Sequence, residues 1–236
     1  MKYTADLHVH TVLSPCGDLD MSPSMIMDQC LIKEINILGI ADHNSTRNAE
    51  VCYELGRKNG VLVLMGAEVS SKEEVHCLCF MPDLDKLKIF QEYLEKNIRK
   101  KKNNPNFFGN QLVVDEKENI LDEEELLLIQ AIDQSLYQIQ EKVEELGGIF
   151  IPSHIDAHRN SIGSQLGFIP EDLKMDAIEV VNIDKLDAVS AKYKIPHNAK
   201  IIASSDAHYI NDIGKRSTQM DLKELSFSSV KNFFNN

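Results

Sequence analysis

The stretch Asp6-Leu7-His8-Val9-His10-Thr11 sets two imidazoles into a short apolar run. In a strand, side chains two apart share a face, so His8 and His10 point the same way, about 6 to 7 Å apart along the chain. That spacing suits a shared metal ion, and two imidazoles need further ligands from elsewhere in the fold to hold one. Candidates recur along the chain at strand ends: Asp18, His43, Glu68, His76, His154, Asp206 and His208. Taken singly, each is more often a capping or solvated residue than a ligand. Six of the eight histidines fall at a strand or its exit, in part as His-x-His and Asp-x-His, and together they predict a metal site.

The elements that must carry these side chains alternate in type. The runs 37–41, 61–65, 75–80, 149–151, 177–181 and 201–203 are short and apolar, and with the first strand they make seven. Ser22 reads as an N-cap with Pro23 opening a helix to about residue 34; further helices are expected to about residue 59, over 84–99, over 123–146 with a break near Ser135, and near 184–193. Between 100 and 122 the pattern is lost, and 111–114 with 119–121 suggests a hairpin in an inserted lobe beside the site or a docking element. An alternating order with all-apolar strands implies a buried parallel sheet, open or closed. Polar groups at nearly every strand end favour the closed form, a barrel of about seven strands.

Composition sets the outer bounds. With 236 residues, 43% of them apolar, the chain is expected to form a single globular domain over 1–236. A net charge of -12 argues against a broad nucleic-acid footprint but leaves room for a local basic groove. No apolar run approaches membrane-spanning length and the N-terminus lacks a secretory h-region, which together with five irregularly spaced cysteines points to reduced thiols in a cytoplasmic protein. Cys77 and Cys79 read as buried thiols. His158 and His197 read as solvent-facing, the basic run 99–102 as a solvated helix end with phosphate attraction as the other option, and the stripe Leu126, Leu127, Ile129, Ile132, Leu136 as packing. Ser14 and Ser153 give no sign of a Ser-His-Asp mechanism.

In order along the chain, Asp6-Leu7-His8-Val9-His10-Thr11, Ala41-Asp42-His43-Asn44, Gly66-Ala67-Glu68, Glu74-Val75-His76, Pro152-Ser153-His154 and Ser205-Asp206-Ala207-His208 resemble the motifs of the PHP (polymerase and histidinol phosphatase) family. The resemblance runs from residue 6 to about 208 and implies a distorted (β/α)7 barrel with a trinuclear site. It implies His8, His10, Glu68 and Asp206 on one ion, Asp18, His43 and His208 on a second, and Glu68 bridging to a third held with His76 and His154. The loop before Asp20 departs from the simplest family pattern in length, and Asp20 is the substitute for Asp18. The resemblance does not extend to residues 100–122.

Nitrogen and oxygen donors suit two or three divalent ions of Zn, Mn or Fe. Ions about 3.5 to 4 Å apart can share a hydroxide and hold phosphoryl oxygens for in-line attack. The expected reaction is therefore phosphoester hydrolysis, with Asp206 or His208 moving a proton at the leaving oxygen and Asp42 orienting an imidazole. Arg159 and Arg216 are placed to bind phosphate, with surface arginines as their other reading. A small phosphomonoester is the leading substrate class. A nucleotide or short-oligonucleotide phosphodiesterase comes second, an amidohydrolase-type enzyme third and a non-catalytic metal-binding module last.

Overall fold

The computed structural model describes residues 1–196 and 199–235; His197 lies outside the described residues. Strand β1 (Lys2–Val9) leads through the loop of residues 10–22 to helix α1 (Pro23–Ile32), where the Ser22 hydroxyl accepts from the Met25 amide as an N-cap. Strand β2 (Ile37–His43), helix α2 (Ala49–Asn59) and strand β3 (Leu62–Ser70) follow, with Gly60 closing α2 at φ 74°. Then come β4 (His76–Met81), α3 (Leu84–Asn97), the short α4 (Pro105–Phe108) and the hairpin β5 (Leu112–Val114) and β6 (Ile120–Glu123). The remainder is α5 (Leu136–Glu145), β7 (Ile149–Pro152), α6 (Ile162–Gln165), β8 (Ile178–Glu179), α7 (Leu186–Tyr193), β9 (Ile201–Ile202), β10 (Thr218–Asp221) and α8 (Phe227–Asn235).

Six strands form one curled sheet in the order β10-β1-β2-β3-β4-β7, giving a mixed α/β fold of half-barrel form. The sheet is not all parallel. β1, β2 and β3 are parallel, but β4 runs antiparallel to β3 and to β7, and β10 antiparallel to β1. The reason is connection length: residues 71–75 make a tight turn, with the Ser71 amide on the Val75 carbonyl, and a parallel return needs a crossover of roughly a dozen residues. β8 and β9 pair in parallel apart from this sheet. They are joined to it by the Ile155 amide on Glu179 O and the His10 amide on Ala207 O.

The expected helix over 123–146 forms only in its second half. Ser135 and Gln138 make a capping box that opens α5. Upstream, the Gln111 side chain donates to the Glu124 and Leu126 carbonyls and accepts from the Leu128 amide, which holds 124–128 extended against its amphipathic pattern. Strand β10 has no apolar alternation to announce it; it is an edge strand with one buried residue, Met220.

β1 contains an irregularity that decides where its histidines point. Ala5 and Leu7 pack with Ile37, Leu64, Leu78, Phe80 and Ile149 on one face of the sheet. Val9 packs with Leu38, Ile40, Val63 and Val69 on the other. Residues two apart normally share a face, so the phase changes between Leu7 and Val9, where the β1–β2 register slips by one residue. His8 and His10 are thereby turned onto the face that carries Leu7. Gly39 makes room for this bulge, since a Cβ there would lie 2.4 Å from the Leu7 carbonyl oxygen.

Candidate metal centre

The same face presents hydrocarbon at one end and ligating groups at the other. His8 and the residue after β1, His10, lie beside His43 at the end of β2 and Glu68 near the end of β3. His154 follows β7, and Asp206 and His208 follow β9. His76 opens β4 rather than ending it, because that strand runs the opposite way. Asn44, His154 and Asp206 hold left-handed backbone, with φ of 49°, 30° and 55°, an uncommon conformation for residues other than glycine.

Glu68 is at the centre. Its Oε1 is 3.0 Å from His154 Nε2, 3.1 Å from His76 Nδ1 and 3.3 Å from His8 Nε2. Its Oε2 is 3.1 Å from His43 Nδ1 and 3.7 Å from His10 Nε2. Asp206 Oδ1 is 3.4 Å from both His8 Nε2 and His10 Nε2. Three groups of donors lie close enough to share an ion: His8, His10 and Glu68; His43, Glu68 and His76; and His10, His43 and His208.

The hydrogen-bond network fixes which nitrogens face inward. His8 Nδ1 donates to Glu179, at 3.0 Å from Oε2, leaving Nε2 toward the centre. His10 Nδ1 is 2.9 Å from Ser14 Oγ, and Ser14 gives its own proton to Asp42 Oδ1 at 2.7 Å. The hydroxyl can therefore only accept from His10, which fixes the Nδ1–H tautomer and leaves the Nε2 lone pair inward. Asp42 also accepts from the Thr11 amide and hydroxyl. Asp42, expected to orient an imidazole, reaches His10 through Ser14, which sequence gave no role.

Glu179 is the residue that sequence reasoning missed. It sits in an apolar run, is 2% exposed, and also accepts from the His154 amide. A single carboxylate inside a run expected to be buried was the available signal.

The charges are strongly coupled. Burial opposes ionisation of Glu68, yet the surrounding imidazoles, His76 and His8 foremost, hold its pKa well below the usual carboxylate range. Burial likewise opposes a charge on His8, but Glu179, Glu68 and Asp206 overcome it and raise its pKa well above normal. His10 moves the other way, lowered by burial and by His208. His8 Nε2 and His10 Nε2 lie 3.1 Å apart, an approach of two ring nitrogens that requires a cation between or beside them, a proton or a metal ion. His76 Nε2 and His154 Nδ1, the ring nitrogens turned away from Glu68, are buried without a hydrogen-bond partner. The imidazole nitrogens and carboxylate oxygens that converge on Glu68 form a donor set that fits divalent metal ions.

Not every expected residue is drawn in. Asp18 and Asp20 are both exposed, and the Asp18 carboxylate accepts from the Asp20 amide at 3.0 Å. The Asp18 amide does donate to the His208 carbonyl. Arg159 and Arg216 line an open cleft of about 470 Å³ over the cluster, together with Cys16, Ile129, His158 and Val181. Arg216 is anchored by the Ser204 and Ser205 carbonyls, whereas Arg159 is exposed. Cys77 and Cys79 are buried thiols outside the cluster.

Replacing Glu179 with Gln is expected to weaken metal affinity about 10- to 100-fold, because the His8 tautomer is no longer fixed by an anion. Competition with a chelating dye measures this, and an unchanged affinity would show that Glu179 only fills space.

No family model matches the chain. It is 25% identical to the uncharacterised protein YqxK of Bacillus subtilis over 264 aligned positions, covering 96% of this chain and 60% of YqxK. Among solved structures it resembles the lesion-specific endonuclease PfuEndoQ of Pyrococcus furiosus, with a TM-score of 0.69, 20% identity, and coverage of 98% of this chain and 55% of that one. Endonuclease Q in complex with a 27-mer duplex bearing an abasic lesion at its active site gives a TM-score of 0.70 at 20% identity, covering 100% of this chain and 57% of that one. A Bifidobacterium adolescentis protein assigned as a metal-dependent phosphoesterase gives 0.62 at 17% identity, covering 98% and 95%. These likenesses show the fold, which the chain shares with an endonuclease and with a protein assigned as a metal-dependent phosphoesterase. The chain spans a little over half the length of YqxK and of Endonuclease Q.

Proposed function

We propose that this chain is a metal-dependent phosphoesterase of the PHP type, built on a distorted (β/α)7 barrel as one domain, and that it hydrolyses a small phosphomonoester. The observation that carries the reading is Glu68, whose two oxygens face five imidazoles and are therefore placed to bridge ions. Divalent ions bound there supply charge neutralisation for phosphoryl oxygens and lower the pKa of a bound water. Ser14 with Asp42, and Glu179, hold the imidazoles of His10 and His8 in their ligating tautomers.

Asp206 and His208 are the more open members of the cluster, with side chains 36% and 22% exposed. Burial opposes the Asp206 charge, but His8 and His10 hold its pKa below the usual carboxylate range, so Asp206 serves to accept a proton and His208 to give one at the leaving oxygen. Asp18, whose amide donates to the His208 carbonyl, is the proposed further ligand beside His43 and His208. Arg216 and Arg159, across the cleft, orient the phosphate. Arg216→Gln is expected to raise KM about 10- to 100-fold, the range of a lost charge-assisted hydrogen bond, and Arg159→Ala only a few-fold because that side chain is solvated. Steady-state kinetics that leave KM unmoved in Arg216→Gln would remove this residue from the site.

A second reading, a phosphodiesterase acting on nucleic acid, is supported by the structural likeness to Endonuclease Q and by the openness of the cleft. Stripping metal, restoring Mn²⁺ or Zn²⁺, and offering a phosphomonoester, a phosphodiester and an amide distinguishes the possibilities. Monoester turnover supports the first reading and diester preference the second. Turnover of the amide alone makes the protein an amidohydrolase.

A further inference from the structure

One wall of the cleft continues into a segment whose exposed side chains the core does not explain. Phe107 is 78% exposed and meets Phe108 edge to face at 4.7 Å between ring centres. Lys101 Nζ lies 5.9 Å from the Phe108 ring centre. Arg99, Lys100 and Lys101 are exposed and make no ion pair among the described residues, whereas Lys102 is offset by Glu125 at 3.5 Å.

This segment is fixed to the cleft at both ends. The Lys101 carbonyl accepts from the Leu127 amide and the Arg99 carbonyl from the Gln130 side chain, on either side of Ile129, which lines the cleft. At the other end Gly109 abuts Pro15, where an added Cβ would lie 2.1 Å from the Pro15 oxygen, and the next residue, Cys16, also lines the cleft. Arg159 and Arg216 line the cleft, and Arg99 to Lys101 stand on the segment bonded beside Ile129 at its edge. The exposed Phe107, with the half-buried Phe108 against it, stands on the same segment. A small metabolite held over the metal cluster has no use for the outer rim; a chain of phosphates carrying flat bases matches it in charge and in shape.

We propose that residues 99–109 bind an unpaired nucleic-acid strand leaving the cleft, with Phe107 stacking on a base and Arg99, Lys100 and Lys101 facing phosphates. The proposal rests on the phosphoester reading of the metal centre and, within it, takes the second, phosphodiesterase branch rather than the small phosphomonoester. In a chain of net charge -12 these unpaired cations form a run of only three residues, which suits a few unpaired nucleotides better than a long duplex footprint.

The test is fluorescence anisotropy with a labelled phosphorothioate oligothymidylate of about 12 nucleotides, a length that spans such a site and resists hydrolysis. Phe107→Ala should weaken binding roughly 5- to 100-fold, as loss of one base stack does, while leaving the salt dependence unchanged. The triple change of Arg99, Lys100 and Lys101 to Gln should flatten the slope of log affinity against log salt by about two units. Melting curves of both variants report their folding. Well-folded variants with wild-type affinity and slope overturn the proposal, as does displacement of the strand by thymidine monophosphate at equal concentration. Wild-type turnover of p-nitrophenyl phosphate and its diester is measured alongside. Its absence counts against the phosphoesterase reading, whereas turnover with unaltered strand binding in the variants counts against the rim alone.

Discussion

Glu68→Gln is expected to lose bound metal and to reduce phosphoester turnover by on the order of a thousandfold or more, equivalent to several kcal/mol of transition-state stabilisation. The amide keeps the shape of the side chain but removes the negative charge that five imidazoles face, and it aims an N–H at nitrogens meant to present lone pairs. Elemental analysis of the purified variant and a turnover assay with added Mn²⁺ or Zn²⁺ check it together. Wild-type metal content with wild-type rate would show that Glu68 is a structural anion and that the chemistry lies elsewhere.

Removing metal from the wild-type protein should lower its melting temperature by roughly 8 to 16 °C. A ligand present at about a thousand times its dissociation constant contributes about 4 kcal/mol, and a chain of this size moves about 2 to 4 °C per kcal/mol. The size of the shift should grow with pH. His8 and His154 have folded-state pKa values raised above the ordinary 6.5, both against the lowering effect of burial. In His8, Glu179 is the largest cause of the rise; in His154, it is the hydrogen bond to Glu68. Protonation of these rings therefore stabilises the metal-free protein fully below the unfolded pKa, and that contribution is lost as pH rises through the raised folded values. Metal competes with the same protons, so differential scanning calorimetry should find a larger metal-induced shift at about pH 8 than at about pH 6. A shift that shrinks with pH would mean that these imidazoles do not ligate.

Most of the cluster was legible because residue types able to ligate stood out at the ends of apolar runs. Seven of the nine expected ligands, His8, His10, His43, Glu68, His76, His154 and Asp206, surround one another, and His208 joins them through His10 and His43. Asp18 alone stays outside, because an exposed loop acid finds a local amide partner that no residue pattern announces. Glu179 was hidden by its neighbours, and Ser14 by a hydroxyl's habit of meaning nothing until its partners are known.

The fold was legible in element order and less so in direction. Strand periodicity says nothing about which way a strand runs, and only the brevity of residues 71–75 held the information that β4 must turn back on β3. The helical pattern at 123–135 was real but local, and it yielded to backbone hydrogen bonds from a side chain more than ten residues upstream, Gln111.

The slipped residue in β1 separates two kinds of surface along one strand. Below it the lumen side is written by the odd-numbered residues, Ala5 and Leu7, and above it by the even-numbered ones, His8 and His10. Were the strand to run in one phase with no slip, the odd-numbered face would continue through Val9 and both imidazoles would swing into the outer hydrocarbon layer, although every ligand would still be present in the chain. The floor and the ligand ring can thus diverge independently, as two short texts in different reading frames joined by one extra letter.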